Sequence, residues 1–308
     1  MKALRIHGFG TPDRAVLDDV APLPAPAAGQ VAVRIEAAGI NPLDLKMLAG
    51  HMQPVFPVKL PYTLATDFAG VVQAAGPQAT RFRPGDRVVG RLEPTAGGAL
   101  AQAALVSELA LSPLPDGIAF EQAAALPTAA GTAWLALFGV GRLQAGQRVL
   151  IHAAAGGVGG FAVQLARQAG AHVVATASAG NHGLVTALGA HEVVDYRTGV
   201  LEARAQDLDL VIDTVGGGAT ERSWPLIRPG GLLVSVVDHA IQGQDGVRAA
   251  FAFFQHDAPV LDAILARLAS GQLQVVLDSI HPLDEARAAL VHLAGGHARG
   301  KVIVRMPG

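Results

Sequence analysis

Alternation of apolar with small or polar residues marks the first third of the chain. The segment QVAVRIEAAG places Val31, Val33 and Ile35 on one face of an extended strand. DFAGVVQAAG is an apolar run that ends at a glycine, and FRPGDRVVG enters another apolar run through a Pro-Gly-Asp turn. These patterns predict an antiparallel or barrel-like β domain.

The pattern changes after Glu121, first to an alanine-rich stretch and then, from Gln147, to short apolar runs separated by helix-length spacers. The five runs are RVLIHA, HVVATA, EVVDY, LDLVIDTV and GLLVSVV. Strands that alternate with helices in this way predict a parallel, doubly wound sheet.

The segments beyond Phe251 predict a return to the first domain. They are a helix (APVLDAILARLASG), a short strand (LQVVLD), a second helix (PLDEARAALVHLAGG) and a final strand (GKVIVR). The sequence therefore predicts an α/β protein with a β-rich part at 1–122, a doubly wound domain at 123–265 and a C-terminal return at 266–308.

Composition narrows the possible functions. A chain of 308 residues that is 51% hydrophobic can bury a large core, and its net charge of −2, without Lys or Arg runs, argues against nucleic-acid partners. The absence of cysteine excludes disulfides and thiolate metal ligands. MKALRIHGFG lacks the apolar core of a secretory signal, and Pro127 interrupts the uncharged stretch QAAALPTAAGTAWLALFGVG, so we expect a cytoplasmic protein without a membrane span.

A glycine-rich turn joins the first strand of the doubly wound domain to its first helix, in LIHAAAGGVGGFAVQLA. Small residues there let backbone N–H groups approach a pyrophosphate at a helix N-terminus, and the last glycine permits close helix packing. A ligand-free turn is the alternative, but the flanking strand and amphipathic helix favour dinucleotide binding. The predicted contacts are Ala153, Gly156, Gly157, Val158 and Gly159.

The end of the second strand bears on which dinucleotide is bound. NAD sites usually carry an acid there for the ribose 2′-OH, whereas this chain has Ser178, which is either an ordinary strand-end residue or a donor to a 2′-phosphate. We therefore favour NADPH, with Asn181 and Tyr196 as further contacts, near His182 and Arg197 in the sequence. Small residues in DTVGGG and VSVV leave room for ribose and nicotinamide, which adds Val215 and Val236 to the predicted site.

Seven segments in order resemble the zinc-independent quinone oxidoreductases of the medium-chain dehydrogenase/reductase superfamily. They are AAGINPLDLK, LATDFAGVV, FRPGDRVVG, AAALPTAAGTAWLAL, VLIHAAAGGVGGFAVQLA, LGAHEVVDY and HPLDEARAAL with GKVIVR. The resemblance implies a GroES-like catalytic domain, a Rossmann NADPH-binding domain and the C-terminal return. It also implies a homodimer that uses NADPH to reduce quinones or related conjugated carbonyls.

The resemblance also implies the catalytic residues. Zinc-using relatives hold their metal with Cys, His and Cys at places that match Asn41, Thr66 and Thr128, and an amide with two hydroxyls is a poor zinc set, so we expect no metal. Asn41 and Thr128 are expected beside the nicotinamide and the substrate carbonyl, with Thr66 and Asp67 behind them. Asn41 is either an oxyanion donor or a turn residue before Pro42, and Thr128 is either catalytic or a helix N-cap.

The proton donor and the reaction class stay open at this point. Several relatives carry a Tyr eleven positions after Asn41, where this chain has Met52 next to His51. His51 is a candidate proton donor, although a solvated surface histidine is favoured, and a solvent proton suffices for a quinone. Asp44 is expected to be a structural partner, and His152 a core histidine. The alternatives to quinone reduction are enone or enoyl C=C reduction and a non-enzymatic NADPH-binding redox sensor or structural protein.

Overall fold

The computed structural model describes residues 1–198 and 201–307, and within them the strands carry most of the architecture. They are β1 Lys2–Ile6, β2 Ala15–Asp19, β3 Gln30–Ile40, β4 Tyr62–Thr63, β5 Asp67–Ala75, β6 Arg87–Arg91, β7 Ala103–Ser107, β8 Leu111–Pro113, β9 Arg148–Ile151, β10 His172–Ala177, β11 Glu192–Asp195, β12 Leu208–Asp213, β13 Ile227–Ser235, β14 Arg248–Phe251, β15 Leu277–Pro282 and β16 Lys301–Arg305.

Helices alternate with the later strands and are sparse among the earlier ones. They are α1 Pro42–Leu48, α2 Phe120–Ala124, α3 Pro127–Trp134, α4 Gly157–Gln168, α5 His182–Ala187, α6 Leu201–Arg204, α7 Gly218–Ser223, α8 Ala258–Ala269 and α9 Ala286–Ala294. A π-helical turn, Leu135–Val140, follows α3. No helix in the described part of the chain is both long and apolar enough to span a bilayer.

The chain forms two compact units, Met1–Thr128 with His256–Gly308 and Ala129–Gln255. The α/β fold with two domains and a C-terminal return is as predicted, but the boundaries at 123 and 265 differ from the observed ones. Residues 123–128 stay with the first unit because α2 packs on β3 and β5, and α8 stays there because it packs on β8. Alanine-rich helices of this kind carry no local signal for the sheet on which they pack.

The first unit is a mostly antiparallel β structure, as predicted. Its larger sheet has the order β15-β16-β3-β5-β6-β8, with β7 also paired to β3, and its smaller sheet has the order β2-β1-β4. Strand β15 begins at Leu277, four residues later than the predicted run LQVVLD, and pairs in parallel with β16. The interior is filled by fully buried apolar side chains, among them Ile6, Ile35, Leu64, Phe68 and Leu100.

A bulge bends the long strand β3 where it crosses β5. Ile35 pairs with Gly70 and Ala37 pairs with Ala69, so Glu36 is an extra residue on β3. The bulge brings the two backbones close together: a Cβ built on Gly70 lies 2.1 Å from the Arg34 carbonyl oxygen. This crossing therefore requires glycine at position 70.

The second unit is a six-stranded, fully parallel sheet of order β11-β10-β9-β12-β13-β14. Numbered within the unit, this is the order 3-2-1-4-5-6 of the Rossmann fold, and the predicted doubly wound sheet is confirmed. Apolar residues from neighbouring strands, such as Leu150, Val174, Val211 and Leu233, form its core. The sixth strand, β14, was not among the predicted runs because its four residues are half-buried or exposed and show no apolar pattern.

We expect Gly70→Ala to lower the free energy of unfolding by about 3 kcal/mol, because the new methyl group meets backbone that cannot move aside. Urea unfolding measures the change. Gly8→Ala in the same unit is the matched control, since a Cβ at Gly8 meets no atom within 4 Å. Equal stability of the two variants would contradict the steric argument.

Candidate active site

Asp67, the first residue of β5, is the centre of a buried polar cluster in the first unit. Its side chain is completely buried. Oδ2 accepts hydrogen bonds from Asn41 Nδ2 and from the backbone N–H of Thr128, both at 3.0 Å. Oδ1 accepts a 2.6 Å bond from the Thr128 hydroxyl and lies 3.9 Å from Arg91 Nε. One carboxylate thus joins the end of β3, the start of α3 and β6.

Asn41 follows β3 and occupies the N-cap position of α1. Its backbone N–H donates to Asp44 Oδ2 at 2.7 Å, while its side chain points to Asp67 instead of capping the helix. Asp44 is thus a structural partner, as expected. Burial raises the pKa of the Asp44 carboxyl to about 7, and the nearby Asp67 charge raises it further. The hydrogen bond from the Asn41 N–H and the charges of Lys301 and Arg91 partly oppose this rise.

Lys301, which was not predicted as a site residue, contacts the amide oxygen of Asn41, on the side away from Asp67. β16 runs antiparallel to β3 with Val302 opposite Ile40, so the lysine lies opposite Asn41. Its Nζ donates to the Ile40 carbonyl at 2.9 Å and to Asn41 Oδ1. Burial lowers the pKa of this ammonium, opposed by the Asp67 and Asp44 carboxylates. The only local signal was a charged residue beginning the otherwise apolar run KVIV.

Thr128 is the second residue of α3, because the helix begins at Pro127; the N-cap alternative is therefore wrong. Its hydroxyl donates its single hydrogen to Asp67 and accepts from Arg91 Nε at 2.9 Å. Because the Thr128 hydroxyl already donates one hydrogen bond and accepts another, we interpret it as a residue that orients the Asp67 carboxylate. The Asp67 carboxylate also neutralises the partial positive charge at the start of α3.

Thr66 differs from Thr128 although both matched metal-ligand positions. Its side chain is 1% exposed, and Oγ1 has no hydrogen-bond partner among the described residues. A buried hydroxyl without a partner is costly and therefore unusual in a folded protein. The structure places Asn41 and Thr128 on the same carboxylate, with Thr66 next to it in the chain.

His51 and Met52, which occupy the region where several relatives carry a tyrosine, lie outside this cluster. His51 is exposed, and Met52 is half-buried and packs against the apolar core of the first unit. The thioether of Met52 has no proton to donate. Neither residue has a hydrogen bond to Asn41 or Asp67.

In the second unit the glycine-rich turn runs from β9 to the N-terminus of α4. Ala153 adopts a left-handed φ of 46°, and the Gly156 N–H donates to its carbonyl at 2.9 Å. A Cβ built on Gly159 lies 2.4 Å from that carbonyl oxygen. The helix therefore approaches the turn as closely as predicted. The N–H groups of Gly157, Val158 and Gly159 open α4, where no intrahelical acceptor exists.

His152 is buried beneath this turn, which confirms the expected core position. Its Nε2 lies 2.8 Å from Ser223 Oγ, whose own hydrogen goes to the Ala219 carbonyl, so Nε2 carries the imidazole proton. Nδ1 faces Thr176 Oγ1 at 3.1 Å, and the same hydroxyl oxygen accepts the Ala153 N–H. Burial lowers the pKa of His152 to about 4, opposed by the Asp213 charge. A neutral imidazole thus supports the turn.

Ser178 directly follows β10, and its Oγ accepts a 3.0 Å bond from Asn181 Nδ2. The structure places an acid, Asp195, close to this residue. It lies at the end of β11, the strand that pairs with β10, and was not predicted from the sequence of β10 itself. Its carboxylate accepts the backbone N–H groups of Ala179 and Arg197 at 3.1 and 3.0 Å. The Arg197 N–H bond is the main cause that lowers the pKa of Asp195. This carboxylate is engaged by backbone on both oxygens.

Asp213 organises the loops that follow β12 and β13. Its Oδ1 accepts the N–H groups of Val215 and Gly216, at 2.9 and 2.8 Å, and its backbone carbonyl accepts the Val236 N–H at 2.9 Å. Thr220 and Ser235 hydroxyls donate to Oδ2 at 2.8 and 2.9 Å. Val215 is exposed and Val236 half-buried, both at the carboxyl edge of the sheet, where Rossmann domains bind ligands.

Comparisons with known proteins support one family for this chain. Two family models match, "Alcohol dehydrogenase GroES-like domain" over residues 27–116 and "Zinc-binding dehydrogenase" over residues 188–304. The chain is 34% identical to the chloroplastic quinone-oxidoreductase homolog of Spinacia oleracea, over 99% of this chain and 98% of that protein. The chain belongs to the quinone oxidoreductase branch of the medium-chain dehydrogenase/reductase superfamily.

Solved structures extend the similarity to the fold of this oxidoreductase. The quinone oxidoreductase from Coxiella burnetii superposes with a TM-score of 0.93 at 33% identity, over 100% of this chain and 99% of that one. The Escherichia coli quinone oxidoreductase complexed with NADPH superposes with a TM-score of 0.88 at 26% identity, over 99% of this chain and 100% of that one. The relatives support a nicotinamide coenzyme for this oxidoreductase.

The residues that the resemblance matches to the zinc-ligand positions do not fit a zinc ion in this oxidoreductase. Asn41 Oδ1 faces the Lys301 ammonium, and Thr128 Oγ1 accepts from the Arg91 guanidinium. The oxygens that would hold a metal cation are thus already bonded to cationic side chains. No group of three or more His, Cys, Asp or Glu side chains within residues 1–198 and 201–307 is arranged to hold a metal.

The glycine-rich turn, by contrast, fits a dinucleotide. The missing Cβ of Gly159 permits the close approach of α4, and the N–H groups of Gly157 and Val158 remain free of intrahelical acceptors. A nicotinamide dinucleotide held there supplies a hydride when bound.

The low pKa of His152 predicts a pH-dependent stability. In the unfolded chain the imidazole takes up a proton near pH 6.5, but in the folded chain only near pH 4. The free energy of unfolding therefore falls between these two values as the pH is lowered, by up to about 3 kcal/mol from this group. His152→Gln should remove that part of the pH slope in urea unfolding, and His51→Gln reports the effect of losing an exposed imidazole. Parallel slopes for wild type and His152→Gln would disprove the assignment.

Two neighbouring glycines in α4 provide a test of the turn. Gly159→Ala should weaken NAD(P)H binding by about tenfold or more, because the methyl group displaces the turn that α4 contacts. Gly160→Ala should bind as wild type does, since a Cβ there meets its nearest atom, Leu188 Cδ1, at an ordinary 3.5 Å. Fluorescence titration of the coenzyme gives both affinities, and thermal unfolding confirms that both variants fold. Similar weakening in both variants would contradict the argument.

Proposed function

We propose that this oxidoreductase transfers a hydride from NADPH to quinones or related conjugated carbonyls without zinc. The observation that carries the proposal is the Asn41 amide in the polar cluster. Its Nδ2 donates one hydrogen to Asp67, and no described residue accepts the other. A buried amide hydrogen without an acceptor suits the oxygen of a carbonyl substrate.

Asn41 acts in this proposal as the oxyanion donor. Hydride addition to a quinone moves an electron pair toward the carbonyl oxygen, and the conjugated ring shares the charge. The Nδ2 hydrogen stabilises that charge as it develops. The reduction also consumes one proton, which we assign to solvent because Met52 has none to donate and His51 is exposed. The products are the hydroquinone and the oxidised coenzyme.

The supporting residues fix this donor. Asp67 holds the amide nitrogen, and Thr128 with Arg91 holds Asp67. Thr66 presents the second buried group without a partner, a hydroxyl suited to the same substrate oxygen or to its neighbour on the ring. We therefore retain Asn41 and Thr66 as catalytic candidates and assign Thr128 to positioning.

The preference for NADPH over NADH rests on the corner formed by Ser178, Asn181, Tyr196 and Arg197. The end of β10 lacks the acid that would repel a 2′-phosphate, and both oxygens of Asp195 are engaged by backbone N–H groups. The Arg197 guanidinium lies 5.2 Å from the centre of the exposed Tyr196 ring. This pair offers a cation and an aromatic face to the adenosine end of the coenzyme. The family resemblance also favours a homodimer.

Steady-state kinetics with chelator-treated protein test the proposal. We expect quinones to be reduced faster than enones, and NADPH to be used with a higher kcat/KM than NADH. Asn41→Ala should lower kcat by about 100-fold with little change in coenzyme affinity. His51→Ala is the control and should keep wild-type turnover across the pH range, because we assign the proton to solvent.

Three results would overturn the proposal in different directions. Faster reduction of enones would make the protein a C=C reductase. Tight NADPH binding without turnover of any acceptor would favour a redox-sensing or structural role. Loss of activity in chelator, restored by zinc, would contradict a metal-free reaction.

A further inference from the structure

Lys301 is a buried cation at the start of an apolar strand. It is 4% exposed, and Val302, Ile303 and Val304 after it are fully buried. Burial of an ammonium costs on the order of several kcal/mol unless its interactions compensate. Methionine has a similar length and would avoid that cost. The charge at this position therefore calls for an explanation beyond packing.

The ammonium is directed at the proposed oxyanion donor. Nζ donates to Asn41 Oδ1 and to the Ile40 carbonyl, the residue just before it. No acidic side chain in the described ranges lies within ion-pair distance of Lys301. Among the described side chains, Asn41 is therefore the one that the Lys301 ammonium contacts by a hydrogen bond.

A cation on one end of an amide and a carboxylate on the other fix its orientation. An ammonium only donates hydrogen bonds and a carboxylate only accepts them. Rotation of the Asn41 amide by 180° would place oxygen against Asp67 and nitrogen against Lys301, which costs both bonds. The free Nδ2 hydrogen is therefore held in one direction.

The same arrangement strengthens the donor. A positive charge on the amide oxygen draws electron density from the nitrogen, and hydrogen bonds in a chain polarise one another. Water weakens such effects, but Asn41 is only 4% exposed. The free hydrogen on Nδ2 is therefore a better donor than that of an ordinary asparagine.

We propose that Lys301 is a positioning residue that orients and polarises the Asn41 amide for the carbonyl oxygen of the electron acceptor. The proposal rests on the function proposed above and adds the residue that makes Asn41 an effective donor. Lys301 itself does not touch the substrate in this proposal.

The first test needs neither coenzyme nor acceptor. The sequence contains two asparagines, Asn41 and Asn181, so protein labelled with ¹⁵N-asparagine gives two side-chain NH₂ signals. In wild type, the Asn41 hydrogens should exchange with solvent at least about tenfold more slowly than those of Asn181, because the amide is buried and fixed. Equal exchange at the two sites would overturn the proposal without any variant.

Lys301→Met tests the source of this fixation. The Asn41 amide signals should shift and its hydrogens should exchange about tenfold faster, while the Asn181 signals stay unchanged as the internal control. Lys301→Arg keeps a cationic donor and should restore part of the wild-type shift. An unchanged Asn41 signal in a folded Lys301→Met protein would overturn the proposal.

Kinetics separate positioning from a purely structural role. Lys301→Met should lower kcat by about 10- to 100-fold and leave the KM for the quinone and the affinity for NADPH little changed. In an Asn41→Ala background the same substitution should cause no further loss, because the lysine acts through that amide. Additive losses, or a kcat within twofold of wild type, would overturn the proposal.

The two proposals fail in different ways. If wild type reduces no acceptor but shows the slow Asn41 exchange, and Lys301→Met abolishes it, the proposed function is wrong and the Lys301–Asn41 coupling stands. If wild type is active and the coupling is absent from both spectra and kinetics, the role of Lys301 is wrong.

Discussion

The buried carboxylate of Asp67 is the interaction on which the first unit's site depends. Its two oxygens accept hydrogen bonds from the Asn41 amide and from the hydroxyl and backbone N–H of Thr128, and Arg91 lies nearby. A buried carboxylate is tolerated only when donors surround it, so the cost of burying Asp67 is offset by fixing each of these groups. The precision of the site follows from this requirement, because each group must be in place to satisfy the charge.

Lys301 and Arg91 balance the two buried acids of the cluster, Asp44 and Asp67. The polarity of this arrangement supports the metal-free reaction proposed above. Where a metal cation would polarise a substrate oxygen directly, cationic side chains here bind the oxygens of Asn41 and Thr128. In the proposed reaction, an amide hydrogen takes the electrophilic role that a metal ion would have, which suits acceptors that delocalise negative charge themselves.

Local patterns were sufficient for much of this protein. Short apolar runs between helix-length spacers predicted the parallel sheet, and the small residues of the turn predicted the close approach of α4 that Gly159 permits. Strand β14 was not predicted because its four edge residues, one exposed and three half-buried, show no apolar periodicity. Asp195 and Lys301 were not predicted because strand pairing brings Asp195 close to Ala179 and Lys301 close to Asn41, and the sequence alone does not show the register of paired strands. Thr128 is a similar case: the sequence shows that its hydroxyl can donate a hydrogen bond, but only the fold shows that the acceptor is Asp67.

The first unit is interrupted in sequence: it stops at Thr128 and resumes at His256, so Asn41 and the lysine that holds it are 260 residues apart. A ribosome therefore completes the entire inserted unit before the second half of the amide clamp is made. Throughout translation Asn41 can be held by Asp67 alone, with its oxygen unbound by the ammonium. Under the roles proposed for Asn41 and Lys301, the amide donor is therefore complete only when β16 pairs with β3, after the inserted unit has been made.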